Sequence, residues 1–366
     1  MTHSATGGGT YRPTFPIHMV WLATNACTAR CLHCSSNSAK RLADELTTAE
    51  AIEMVDQLAD NGVVDLGISG GEPLLRHDLL AIIGHAKARG MSVGVATNGA
   101  KLPQSLANRL ASLELNRLQV SLDGPPAEHD RLRCWPGLYE RAIASIRIAR
   151  RAGLRVHVCC TITSLNVDVL DTFVHSLTFL NVQRLNFSRY VPTGRGTDAL
   201  DLPDSRWRSV VEQCTALKKQ YLGQLEIVTH LAQQILVDDE VADMPAFIGC
   251  QAGRGQGCIS ANGTVQPCVL LPLPLGNLRK TSFREIWEGS PTVHTLQGRA
   301  HLQGKCGTCL VRERCGGCRA VAYARTGDVV ASDPRCWLPA EHSVVSLHPR
   351  TSGESHGTDI GSIRFA

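Results

Sequence analysis

Aromatic side chains are scarce in this chain: Phe, Trp and Tyr make up 5% of 366 residues, and there are only 5 Met. An excess of one charge is missing too, since 37 Lys and Arg face 33 Asp and Glu, a formal net charge of +4. So small an excess gives no argument for a nucleic-acid partner. No apolar run is long enough to span a membrane. Residues 1–10 are polar and Gly-rich, without the apolar stretch of a signal peptide. There are no internal repeats. These absences set nucleic acid, membrane and export aside, and a cytoplasmic protein is the expectation. Apolar content of 43% and charge of 19% are ordinary for a globular chain, with room for one large domain or two.

What the chain has in abundance is cysteine, with 15. The number is odd and no export signal precedes it, so clustered Cys read as metal or cluster ligands rather than disulfides. The most telling group is Cys27-x3-Cys31-x2-Cys34. Three thiolates on one loop can hold three irons of a [4Fe–4S] cluster and leave the fourth open to a substrate or cofactor. Four-Cys sites, by contrast, mostly transfer electrons. The same triplet also suits a zinc ion with His33 as fourth ligand, or plain buried thiols.

From residue 18 to about 225, short apolar runs alternate with amphipathic patterns. Strands are expected at His18–Thr24, Val64–Ser69, Ser92–Thr97, Arg117–Leu122, Arg155–Thr163 and Arg184–Val191. Helices are expected near 48–61, 78–90, 103–113, 138–152, 168–180 and 204–222. Thr47-Thr48-Ala49-Glu50 reads as a capping box, with Ile52, Val55, Leu58 and Ala59 on one face. Gly62, Gly90 and Gly153 sit where C-terminal caps belong. Such alternation predicts an α/β fold, a partial (β/α)6 TIM-like barrel two units short of closure. Residues 1–14 read as a flexible N-terminus, 15–225 as the barrel and 226–249 as a connector with one short helix. Residues 250–338 read as a small Cys-rich domain, organised by metal clusters rather than by a core. The Ser-, Gly- and His-rich tail, 339–366, reads as flexible.

Polar signals recur at the carboxyl ends of the expected strands, where open α/β sheets bind ligands. Ser69-Gly70-Gly71-Glu72-Pro73 offers two Gly for close backbone approach to a ligand, and Glu72 to bond the ligand or hold the loop. Thr97-Asn98-Gly99, Ser121-Leu122-Asp123-Gly124, and Thr161-Ile162-Thr163 with Asn166 follow at later strands. Ser121 and Asp123 have the chemistry to bond ribose hydroxyls. Each alone is a turn; together they outline one polar site.

With these residues in order, the chain over about 15–225 resembles the radical S-adenosylmethionine superfamily. The resemblance implies that Cys27, Cys31 and Cys34 bind [4Fe–4S] and that S-adenosylmethionine chelates the open iron. Reductive cleavage would give methionine and a 5′-deoxyadenosyl radical that removes a substrate hydrogen. An external electron donor of the flavodoxin or ferredoxin type is implied. Gly70, Gly71 and Glu72 would lie against the methionine amino group, Ser121 and Asp123 near the ribose, and Asn98 within the same cofactor site. His33 takes the place of an aromatic residue near the adenine.

The later Cys are Cys250, Cys258, Cys268, then Cys306-x2-Cys309-x5-Cys315-x2-Cys318, then Cys336. Eight ligands suffice for two fully ligated [4Fe–4S] clusters, and paired C-x2-C also suits zinc ribbons. This block resembles the SPASM extension of some radical enzymes, although Cys315-x2-Cys318 is one residue shorter than the usual link. By resemblance, Cys250, Cys258, Cys268 and Cys318 hold an inner auxiliary cluster, and Cys306, Cys309, Cys315 and Cys336 an outer one. The stretch from Cys315 to Cys336, with Val191-Pro-Thr-Gly-Arg-Gly196, is most similar to members acting on haem precursors and peptide cofactors.

Cys134, Cys159, Cys160 and Cys214 remain, each readable as a small buried hydrophobe. Cys159 and Cys160 are neighbours on a strand and point opposite ways. Cys134, on a loop after the fourth strand, and these two are candidate hydrogen donors to a substrate radical. The expected function is oxidative modification of a biosynthetic precursor, a ribosomal peptide or a tetrapyrrole. A peptide would call for a separate leader-binding protein. The alternatives are a dehydrogenase or epimerase of a sugar or cyclitol, or a non-catalytic zinc or iron–sulfur carrier.

Overall fold

The computed structural model describes residues 15–229 and 231–339. The two ends expected to be flexible, 1–14 and 339–366, lie outside the described residues, apart from Pro339. Six strands follow the expected order: β1 His18–Thr24, β2 Asp65–Gly70, β3 Ser92–Thr97, β4 Arg117–Ser121, β5 Val156–Ile162 and β6 Arg184–Arg189. They pair in sequence, all parallel. The helices of this part are α1 Thr48–Asp60, α2 Leu79–Ala88, α3 Gln104–Ser112, α4 Pro126–Arg133, α5 Leu138–Arg151, α6 Leu170–Thr178 and α7 Asp204–Gln220.

Local chemistry explains the boundaries. Thr47 accepts from the Glu50 amide while Glu50 reaches back to the Thr47 amide, which closes the capping box of α1. The buried face of α1 is Ala51, Met54, Val55 and Leu58, with Ile52 and Ala59 at its margin. Gly62, Gly90 and Gly153 take φ of +80°, +77° and +82° just beyond their helices, a region costly for other residues.

The sheet does not stop at six strands. β7 Glu226–Thr229 pairs parallel to β6, inside the stretch read from sequence as a connector. β8 Gln256–Ile259 pairs parallel to β1 at the other edge, and β9 Thr264–Gln266 and β10 Gly276–Asn277 continue it antiparallel. The order is β10-β9-β8-β1-β2-β3-β4-β5-β6-β7, an open partial barrel extended by its C-terminal region. That region is not organised by its cysteines alone. Ile259, Val265, Phe283, Ile286, Trp287 and Val293 join the main core. A helix also went unforeseen: α4 opens on Pro125-Pro126, which looks like a breaker but is tolerated in a first helical turn.

Burial alternates along the strands. On β1, Met19, Trp21 and Ala23 are fully buried, whereas His18, Val20 and Leu22 are half-buried. β2, β4 and β5 alternate likewise. The helix-facing side is therefore the hydrophobic core, and the inner side lines a lumen. Among the described residues no helix is long and apolar enough to cross a membrane.

Candidate active site

The loop carrying Cys27, Cys31 and Cys34 follows β1 and is pinned from three directions. Glu45 accepts from Thr24 Oγ1 at 3.0 Å, the Asn25 amide at 2.7 Å and the Leu42 amide at 3.1 Å, which ties the two ends of the loop. After β2, Gly71 N donates to Thr24 O at 2.7 Å and Glu72 N to Ala26 O at 2.8 Å. After β6, Arg195 N donates to Cys34 O at 2.9 Å, and its guanidinium to Cys31 O at 3.0 Å and Ser38 O at 2.7 Å. Gly194 lies so close that a Cβ there would sit 2.3 Å from Ser35 O. The Val191–Gly196 motif is thus a clamp on the cysteine loop.

The two Gly after β2 also make room for the chain itself. A Cβ on Gly70, whose φ is +124°, would be 2.6 Å from Thr24 O, and one on Gly71 would be 2.1 Å from Ala26 O. Their small size admits the cysteine loop's own backbone. Glu72 is buried and accepts from Asn98 N at 2.8 Å, Thr97 Oγ1 at 2.9 Å and Leu74 N at 3.2 Å. It knots the ends of β2 and β3 beneath the loop. Asn98 Nδ2 in turn donates to Thr28 Oγ1 at 3.1 Å and lies 3.9 Å from Cys27 Sγ.

Asp123 also turns inward. It is 0% exposed and takes Arg133 Nε at 2.7 Å and the Thr161 amide at 3.0 Å. Arg133 continues to Cys31 Sγ at 3.6 Å. The side chain of His33 is 8% exposed, with Nε2 3.6 Å from Asp123 Oδ2 and Nδ1 without a hydrogen-bond partner among the described residues. Burial holds its pKa down at about 4, so the ring is neutral. Ser121, last residue of β4, stays half-buried beside Cys159 of β5.

The three thiols suit a cluster. Burial pushes the Cys27 thiol up, and the charges of Cys31 and Cys34 push it further. Burial likewise raises Cys31 against the pull of Arg133. Cys34 is held below its usual value, against burial, by the Ser36 hydroxyl, backbone amides and Arg195. A cationic cluster that takes thiolates removes the burial penalty and the repulsion together.

A cavity of about 470 Å³ fills the lumen, touching β1 through β7 and closed by residues 247–252, 268–270 and Cys318. Gly67, Ser69, Gly94, Ala96 and Ser188 line it. Closed barrels put branched side chains at such positions and fill the space. Among the candidate hydrogen donors, Cys159 lines this cavity. Cys160 belongs to the core on the other face, and Cys134 is exposed in the turn after α4, as its left-handed cap.

The eight later thiols sort into two sets. Cys258 feels Cys268, Cys268 feels Cys250 and Cys318, and Cys318 feels Cys250. Cys309, Cys315 and Cys336 each feel Cys306, and all four line one cavity. Burial pushes Cys268 and Cys315 up to about 12. Cys315 and Cys318 fall in different sets although two residues separate them. Gly316 and Gly317 bridge them with φ of +67° and +56°. A Cβ on Gly317 would lie 2.7 Å from both Asp333 Cβ and Arg319 Nη2. Arg189, at the end of β6, meets Asp333 at 2.8 and 3.1 Å, and Asp333 Oδ2 accepts from the Cys318 amide at 2.8 Å.

Residues 21–180 match the Radical SAM superfamily model, and residues 250–318 match SPASM, an iron–sulfur cluster-binding domain. The AdoMet-dependent heme synthase of Methanosarcina barkeri is 33% identical over 88% of this chain and 96% of its own length. The chain belongs to the radical SAM superfamily. This radical SAM/SPASM enzyme has relatives of other names as well. The pre-heme d1 synthase of Dinoroseobacter shibae is 32% identical over 91% of this chain and 88% of its own. The mycofactocin maturase MftC of Mycobacterium tuberculosis is 31% identical over 88% and 83%. In fold, the chain is similar to Streptococcus suis SuiB bound to S-adenosylmethionine, with a TM-score of 0.72, 18% identity and coverage of 89% and 78%.

Several residues of this radical SAM enzyme escaped the sequence reading. Arg133, Glu45 and His129 are partners of the cysteine loop or of Asp123. Arg195 was legible only as part of a motif, without its contacts. No local signal marks them, because Arg133 meets Cys31 across 102 residues and Arg195 meets it across 164.

Proposed function

We propose that this enzyme oxidatively modifies a carboxylate-bearing tetrapyrrole held in the lumen. The observation that carries the reading is the set of donor side chains on the cavity wall. Among the described residues that line it, the basic ones are His18 and Arg117, which share Asp65, and Arg189, which meets Asp333, and no Asp or Glu is itself in the lining. The rest of the lining includes an apolar group, Leu231, Phe247, Ile248, Val269 and Leu270. A flat apolar ring with acidic arms matches both kinds of lining, and a cavity of this size lies within the usual range for such ligands. The haem names of two relatives support the same class.

Cys27, Cys31 and Cys34 would hold the first [4Fe–4S] cluster, and the two sets of four Cys would hold two auxiliary ones. When bound, the first cluster and S-adenosylmethionine supply a radical that removes a hydrogen atom. The chain's own residues do the rest. Arg133 and Arg195 place positive charge beside Cys31 and Cys34. Glu72 and Asn98 fix the strand ends under the loop. The lumen walls hold the substrate and keep water from it. One auxiliary set reaches the substrate: Cys250, Cys268 and Cys318 line the same cavity, as an acceptor of the remaining electron requires.

The test is anaerobic turnover of the reconstituted enzyme with S-adenosylmethionine and a strong reductant. A porphyrin carboxylic acid should raise 5′-deoxyadenosine formation at least tenfold over its absence. Stimulation by precursor peptides or sugars, with none by porphyrins, would sink the tetrapyrrole reading.

A further inference from the structure

The amino-terminal end of the lumen carries a feature that the cluster chemistry does not use. Arg117 begins β4, yet its guanidinium crosses β3 to reach Asp65 on β2, with Nη1 to Oδ1 at 2.7 Å and Nη2 to Oδ2 at 2.8 Å. It can do so because β3 has Gly94 beneath it: a Cβ there would lie 2.6 Å from Arg117 Nε. On the other side, His18 of β1 brings Nδ1 to within 2.6 Å of Asp65 Oδ2. Its ring lies over Gly67, whose Cβ would sit 3.3 Å from His18 Cε1. Two planar nitrogen-bearing groups therefore lie flat across two glycines, joined by one carboxylate. Arg117 and His18 both line the cavity, with their side chains 23% and 30% exposed.

Packing alone does not call for this arrangement. A closed barrel floor is built from branched apolar side chains. Here Asp65 fixes the orientation of both groups, as a carboxylate does when it pre-organises a binding surface. Among the described residues Asp65 and Ser92 take three of the guanidinium's five N–H groups, which leaves in-plane N–H groups to donate to a ligand.

We infer that His18 and Arg117, held by Asp65 over Gly67 and Gly94, form a carboxylate-binding subsite at the amino end of the lumen. The inference rests on the tetrapyrrole reading and assigns where the acidic arms go. The subsite stands at the far end of β1 from the cysteine loop, roughly 20 Å along six residues at about 3.3 Å each. A substrate anchored there must be long enough to bring its reacting carbon toward the cysteine loop. The subsite thus selects for length as well as charge, and a single sugar ring fails on length.

The experiment is equilibrium binding to the reconstituted holoenzyme, read by the porphyrin absorption band. The probes are mesoporphyrin IX, with two free carboxylates, and its dimethyl ester. Wild type should bind the diacid at least tenfold more tightly than the ester. Arg117→Gln should abolish that preference by weakening the diacid alone. Gly94→Ala keeps every charge and displaces the guanidinium, and it should erase most of the preference too. It also serves if Arg117→Gln does not fold. A wild-type preference that survives in the folded variants overturns the subsite and leaves the tetrapyrrole reading standing. Equal binding of diacid and ester by wild type also overturns the subsite. No binding of either probe overturns the reading and the subsite with it.

Discussion

Replacing Gly71 by Ala tests the role of the glycine pair in the most direct way. The added Cβ would stand 2.1 Å from Ala26 O and 2.7 Å from Ala26 C. Both are backbone atoms, so no side chain can swing aside. Restoring an ordinary contact takes a shift of about 1 Å between the two segments. That shift stretches the bonds Gly71 N to Thr24 O and Glu72 N to Ala26 O from 2.7 and 2.8 Å beyond useful hydrogen-bond length. Two such bonds are worth about 2 kcal/mol net, and crowding adds about 1–3 kcal/mol. The sum is below the stability of a typical domain, about 5–15 kcal/mol, so the chain should fold with the cysteine loop displaced. Cys27 directly follows Ala26. We expect the variant to lose about four of about twelve irons after anaerobic reconstitution, one [4Fe–4S] cluster of three. Its S-adenosylmethionine cleavage should fall more than a hundredfold, while circular dichroism stays native. Gly90→Ala is the control: φ there is +77° but nothing lies within 4 Å of the new Cβ, so it costs about 1 kcal/mol and keeps its iron. A Gly71→Ala protein with full iron and wild-type cleavage would refute the reasoning.

Three further outcomes are expected. Arg133→Met leaves Asp123, 0% exposed, without its counter-charge and should cost about 3–5 kcal/mol. A melting curve measures this, and the double variant with Asp123→Asn should recover most of the loss. Gly317→Ala forces a side chain into φ of +56°, at about 1–2 kcal/mol. It should lower the iron of the second domain while the electron paramagnetic resonance signal of the first cluster persists. In acid, His129 has its pKa held down to about 4, by burial first and then by Arg133. The unfolded chain protonates at about 6.5, so stability falls as pH drops from 6.5 toward 4. The effect is at most about 3 kcal/mol, and His129→Asn should flatten that part of a pH–stability curve.

The strands and helices of the barrel were legible because each repeats a local signal. Capping by Thr47 and Glu50, glycines after helices, and apolar runs of five to seven residues fix β1 through β6. β7 and β8 have four residues each, too few to show a period, and both exist because a neighbouring strand offers them an edge. α4 was hidden by its Pro125-Pro126 opening. In the site, the cysteines could be read because their spacing is local. The roles of the residues around them could not. Glu72 was read as bonding a ligand or holding the loop, and Gly70 and Asp123 as facing a ligand; the contacts in the structure run to the protein's own loop and to Arg133. Spacing tells which residues sit at strand ends, and only the three-dimensional contacts tell which way they turn.

The crossing at Gly316 and Gly317 bears on how iron enters the second domain. One thiol set spans Cys250 to Cys318 and the other Cys306 to Cys336, so their chain segments overlap. The first set to fill fixes Cys315 or Cys318 and, through two residues of backbone, brings the other into place. The entropy of closing the second loop is then already partly met. With a cluster in each set, loading should be cooperative: at limiting iron, chains with both sets filled should outnumber those with one.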